Sequence, residues 1–222
     1  MSKKSIKNYY EHKTSNSAPQ RLVILLHGLG SNGQDLISLA PYWAQDRADT
    51  LFVSPDAPFI CDMVPPNYPN AFQWFSLQDR DPDTVLAGIK IAAPILQDFI
   101  EAQCKTHDIE PKHCALVGFS QGTMMSLYQA PRQPECLAGV LGYSGALFWD
   151  NSTPADALHR LPVHLIHGQA DDIVPVEAWR EGKSVLEAHG FPFSGHVTAG
   201  LAHSIDEKGI ASGGAFLSTI LS

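Results

Sequence analysis

Short apolar runs that stop at glycine, separated by segments of helical period, constrain this chain more than any other feature. "RLVILLHG" (21–28) is such a run. A continuous apolar stretch of this length suits a strand buried on both faces. "TLFVSP" (50–55), "HCALVGFS" (113–120), "LAGVLGYSG" (137–145) and "PVHLIHG" (162–168) have the same character, and "FSGHVTA" (193–199) follows as a final strand. Over 84–105, Val85, Leu86, Ile89, Ala92, Ala93, Leu96, Phe99 and Ile100 fall on one helical face, with Pro94 expected to kink the helix. Residues 34–47, 121–130 and 176–189 are further helix candidates. Buried strands alternating with helices predict a three-layer α/β domain, a mostly parallel central sheet with helices on both faces. In such sheets the working groups sit in loops beyond the strand C-terminal ends.

At 222 residues the chain suits one domain, 1–222. Its first twenty residues carry no motif, and their structure is left open. The formal net charge of −8 excludes a whole-chain basic footprint for nucleic acid. The start, "MSKKSIKNYYEHK", has no apolar stretch after its lysines, and no run approaches a membrane span. With the scattered Cys61, Cys104, Cys114 and Cys136 read as reduced thiols, a cytoplasmic location is expected. His164 and His167 lie three apart on a strand and face opposite sides, so they do not chelate one ion, and no metal site is expected. The segment 56–78 is different: it holds four prolines among many large apolar residues. It either plugs a small core of its own or acts as a lid that lines a site.

"LVGFSQGTMM" (116–125) places Ser120 between Gly118 and Gly122, after a strand and before a helix. A tight turn there lifts the hydroxyl above the sheet edge. A serine hydroxyl is a weak nucleophile and needs a base held by a carboxylate. Later strand ends supply both. "HGQADDIVP" (167–175) carries Asp171 and Asp172, and "AGLAHSIDEKG" (199–209) carries His203, with Ser204 and Glu207 expected to form a capping box for the last helix. Acyl transfer also needs donors for the developing oxyanion. The backbone N–H of Gln121 is one candidate, and that of Leu29, in the Gly-rich "HGLGSNG" (27–33), is the other.

Together "LLHGLGSNGQDL", "GFSQGTMM", "GYSGAL", "HGQADDIVP" and "AHSID" resemble the carboxylesterase/phospholipase family of α/β-hydrolases, which includes the acyl-protein thioesterases. The resemblance runs from about Arg21 over nearly the whole chain. It implies an α/β-hydrolase fold and a Ser120–Asp171–His203 triad, and it selects Asp171 over Asp172. It matches Leu29 and Gln121 to the oxyanion donors and the Trp74-Phe75 pair to the family's segment after "PDAPF". No cofactor is implied. The expected substrates are carboxylic esters or thioesters, whether small molecules, lysophospholipids or acylated proteins. Phe72, Trp74, Leu147 and Phe148 are expected to line a neutral, apolar acyl site, since no Lys or Arg precedes Arg80 in these segments. Two rivals stand beside this reading. One is dienelactone-hydrolase-like chemistry, disfavoured by Ser in place of the Cys usual at that elbow. The other is a non-catalytic scaffold on the same fold, disfavoured because all three triad positions are filled.

Overall fold

A computed structural model describes residues 4–45, 47–65 and 68–222. Its centre is a seven-stranded sheet in the order β1-β3-β2-β6-β7-β8-β9. Its strands are β1 (Tyr9–His12), β2 (Arg21–Leu26), β3 (Thr50–Pro55), β6 (Cys114–Phe119), β7 (Gly139–Tyr143), β8 (Val163–Gly168) and β9 (Phe193–Thr198), while β4 (Phe59–Ile60) and β5 (Phe72–Gln73) pair as a separate two-stranded sheet. All neighbours pair in parallel except β1, which runs antiparallel to β3. The six strands expected from the apolar runs are all present. β1 lies in the N-terminal segment that carries no motif; its alternation of exposed and half-buried residues suits an edge strand half open to water.

Side-chain alternation divides the sheet's two faces. Leu22, Ile24 and Leu26 of β2 join one core, with α3 (Pro82–His107), α4 (Gln121–Gln129) and α5 (Glu177–Ala188). Val23 and Leu25 join the other, with α1 (Gly33–Leu36), α2 (Ala40–Ala44) and α6 (Glu207–Ile220). The three layers follow from continuous apolar strands, which need cover on both sides.

Three details differ from expectation. The helix expected over 84–105 starts earlier, because Asp81 caps it through the Asp83 and Thr84 N–H groups and Pro82 suits the first turn. It runs through Pro94 as one element. The helix expected over 34–47 is broken into α1, a 3-10 turn at Ile37–Leu39 and α2. Pro41 has no N–H with which to continue the ladder. The last helix is capped by Asp206, whose side chain accepts from the Gly209 N–H at 2.7 Å, and not by Ser204, whose own N–H donates to the Ala202 carbonyl within the preceding loop.

The two strand histidines do point apart. His164 meets Ser194 Oγ at 2.7 Å through Nδ1 and Ser212 Oγ at 2.9 Å through Nε2. Burial, and then the charge on His196, lower its pKa to about 4. Between its ordinary 6.5 and about 4, the unfolded chain binds a proton here that the folded chain refuses. The stability tied to neutral His164 is therefore complete above 6.5 and is lost as the pH falls toward 4, by roughly 3 kcal/mol in all. Gln at this position does not titrate. The stability gap between wild type and His164→Gln should shrink by about 2 kcal/mol from pH 7 to about pH 4.5, measured by urea unfolding. Parallel pH profiles would exclude His164 as the source.

Candidate active site

The site is built around the turn between β6 and α4. Ser120 has φ 53° and ψ −116°, a left-handed conformation that L-residues avoid. Close packing holds it there. A Cβ on Gly122 would lie 1.8 Å from the Leu26 carbonyl oxygen, and one on Gly118 would lie 2.4 Å from the Thr123 nitrogen. Only glycine lets α4 start so near β2. The turn is also tied to β7: the Ser120 N–H donates to the Tyr143 carbonyl at 2.9 Å, and Thr123 Oγ1 donates to the same oxygen at 2.8 Å. Ser120 is left 8% exposed and lines a cavity of about 480 Å³.

His203, from the loop after β9, lines the same cavity. Its Nδ1 lies 2.8 Å from Asp171 Oδ2, and the Phe119 ring packs beside it with centroids 4.9 Å apart. Two backbone bonds join the loops after β8 and β9: Gln169 N–H to the Thr198 carbonyl and Ala170 N–H to the Leu201 carbonyl, both 2.9 Å. That join sets the distance between carboxylate and imidazole. Asp171 Oδ1 accepts from the Val174 N–H at 2.9 Å and the Ile173 N–H at 3.0 Å. Burial opposes ionisation of Asp171. The Val174 N–H, the His203 imidazole and the Ile173 N–H together outweigh it and hold the carboxyl below the usual carboxylate range. Asp172, by contrast, is exposed.

The Leu29 and Gln121 N–H groups lie in the loop after β2 and at the first position of α4. An N–H at that helix position has no intrahelical acceptor. The Gln121 side chain, fully buried, accepts from the Trp74 N–H and donates to the Phe75 carbonyl, both at 2.8 Å. His27 fixes the neighbouring loop. Its Nδ1–H donates to the Gly28 carbonyl at 2.7 Å, so Nε2 accepts the Ala57 N–H at 3.0 Å. Burial lowers the His27 pKa and keeps this neutral tautomer.

Of the four residues expected to line the acyl site, Phe148 does so, and Phe72, Trp74 and Leu147 do not. Trp74 is fully buried and donates its Nε1–H to the His27 carbonyl. Phe72 works through its backbone: its carbonyl accepts the Gly30 N–H and its N–H donates to the Ser31 carbonyl, each at 2.9 Å. Leu147 turns toward α5, near Gly182, because it points opposite to Phe148. The segment 56–78 is thus mostly a plug, and only its end reaches the cavity, through Leu77. Pro66 and Asn67 of this segment lie outside the described residues. Val85, Met124, Ile173 and Val174 are among the other apolar residues of the wall. The last two sit beside Asp171 in the motif, a signal the carboxylate had overshadowed. The sequence reading also missed His167, whose Nε2–H donates to the Val174 carbonyl at 2.8 Å and sits 3.4 Å from Asp171 Oδ2. Arg80 lines the cavity as well, contrary to the expectation of no counter-charge.

Comparison with known proteins agrees with this architecture. The phospholipase/carboxylesterase family model matches residues 8–221. Acyl-protein thioesterase 1 of Gibberella zeae is 31% identical over 196 residues, covering 82% of this chain and 83% of that protein. Esterase YpfH of Escherichia coli is 26% identical over 189 residues, covering 85% of this chain and 78% of the relative. The crystal structure of esterase PE8 superposes with a TM-score of 0.87 at 34% identity, covering 98% of this chain and 99% of that one. The chain therefore belongs to the phospholipase/carboxylesterase family of α/β-hydrolases, a family of carboxylic ester hydrolases.

Proposed function

We propose that this protein hydrolyses carboxylic esters or thioesters of largely apolar acyl groups through a Ser120–His203–Asp171 triad and an acyl-enzyme. The observation that carries the reading is the 2.8 Å contact between His203 Nδ1 and Asp171 Oδ2, with His203 and Ser120 lining one cavity. Ser120 Oγ attacks the acyl carbon while His203 Nε2 takes its proton. The tetrahedral oxyanion is met by the Leu29 and Gln121 N–H groups. His203 then protonates the leaving alcohol or thiol, and water repeats the sequence to release the acid. Asp171, held ionised by its own N–H donors, keeps the proton on His203 Nδ1 and stabilises the imidazolium. The apolar wall favours a neutral acyl stem. Phe148 is the proposed contact to it among the four residues expected from the sequence. Substrates in reach of such a site are small esters, lysophospholipids and acylated proteins. The proposed setting is cytoplasmic, in keeping with free thiols at Cys61, Cys104, Cys114 and Cys136. No helix among the described residues is long and apolar enough to cross a membrane.

A fluorophosphonate probe should label the protein stoichiometrically. Ser120→Ala should abolish labelling and lower ester hydrolysis by about 10³-fold or more, because triad members act as a unit. An unlabelled wild type would favour the non-catalytic scaffold.

The two neighbouring aspartates give a second test. Asp171→Asn should lower kcat by orders of magnitude, since the amide favours the wrong imidazole tautomer. Asp172→Asn should stay within about tenfold of wild type, equivalent to no more than about 1.4 kcal/mol. Steady-state kinetics showing the reverse order would reassign the carboxylate.

A further inference from the structure

Resting on this hydrolase reading, we propose that Arg80 makes the site selective for acyl groups that end in a carboxylate, the monoesters or monothioesters of dicarboxylic acids. Arg80 lies between β5 (Phe72–Gln73) and α3 and lines the same cavity as Ser120 and His203. It is exposed at the mouth. Among the described residues its guanidinium has no hydrogen bond or ion pair. The carboxylates beside it in sequence are engaged elsewhere. Asp79 accepts from the Asp81 N–H at 2.9 Å and from Thr84 Oγ1 at 3.1 Å, and Asp81 caps α3. Asp35, the other charged residue of the cavity wall besides the histidine, accepts from Ser31 Oγ at 2.7 Å. The helix cap thus fixes the chain on either side of Arg80 and leaves a cation without a partner, among the described residues, on the wall of a largely apolar cavity.

Topology indicates which part of the substrate reaches it. Asp171 and His203 follow β8 and β9, on one flank of Ser120, and His203 must face the leaving group to protonate it. Arg80 is contributed from the opposite flank, where the chain leaves β3 and turns through β5 into α3. The far end of the acyl group is assigned to that side, with the part nearer the carbonyl against Phe148. Its stem would run along Leu77, Val85 and Met124, and a terminal carboxylate would meet the guanidinium in a charge-assisted pair. The chemistry at the carbonyl is unchanged: Ser120 Oγ forms the acyl bond, the alcohol or thiol leaves with the proton from His203, and water releases the diacid.

The test uses 4-nitrophenyl monoesters of succinic, adipic and suberic acids, each against the neutral ester of equal carbon count. The readout is the ratio of kcat/KM, anionic over neutral, at the chain length where wild type gives the highest ratio. Arg80→Gln should lower that ratio about five- to tenfold. Arg80→Lys should hold it within about threefold of wild type, and Arg80→Glu should lower it beyond Arg80→Gln. Added salt should lower the wild-type ratio and leave that of Arg80→Gln flat. A structural role for Arg80 would not order the variants by charge. If the ratio is the same in all four proteins, the proposal is wrong while the hydrolase reading stands. If wild type cleaves neither the neutral nor the anionic esters, the hydrolase reading itself fails.

Discussion

The close contact between the start of α4 and the end of β2 is the constraint on which the rest of the site depends. With no side chain at Gly122, the helix backbone sits against the Leu26 and His27 carbonyls. That approach forces Ser120 into its left-handed conformation, and the bonds from Ser120 and Thr123 to Tyr143 keep it there. A conformation of this kind costs on the order of 1–3 kcal/mol and persists only where its surroundings over-determine it. Here two neighbouring strands and a helix do so.

The same turn organises the loops around it. Gln121, one residue on, holds the Trp74 and Phe75 backbone through both ends of its amide. Trp74 reaches back to His27, whose ring in turn holds Ala57. The loop that contains Leu29 is thereby tied to the residues just after β3 and β5 and, through Gln121, to the elbow by buried hydrogen bonds. Such bonds are costly to leave half made, so the Leu29 and Gln121 N–H groups, the proposed oxyanion donors, are held in place by the fold itself. On the other flank Asp171 is satisfied by the N–H groups of its own turn, and the backbone join between the two loops sets its distance to His203.

The cavity wall combines residues that no single segment announces. Leu77 and Arg80 arrive from the end of the Pro-rich segment, Met124 from α4, Phe148 from the loop after β7, and Val174 from the turn that carries Asp171. Large aromatics in the sequence were a poor guide to this wall, because a buried indole or phenyl ring fills a core as readily as it lines a pocket. Trp74 did the first, and Phe148 the second.

The strand-helix alternation, the two-faced sheet and the places of the triad candidates could all be read from the chain before folding. Those depend on local signals: apolar period, glycines at a tight turn, and polar residues just after strand ends. The sequence also separated Asp171 from Asp172 through the motif, and the exposure of Asp172 accords with that choice. Which residues line the cavity with Ser120 could not be read in this way, because packing between distant segments sets it. Whether Phe72, Trp74 and Leu147 face a cavity or a core depends on which neighbours pack against them. Those neighbours are far away in sequence, such as Gln121 for the Trp74 backbone and α5 for Leu147. The N-terminal strand was invisible for a related reason: "YYEH" becomes a strand only because β3 offers it an open edge to pair with. Arg80 was legible as a residue but not as part of the site. Its place at the cavity mouth follows from the path of the chain between β5 and α3, which no local pattern encodes.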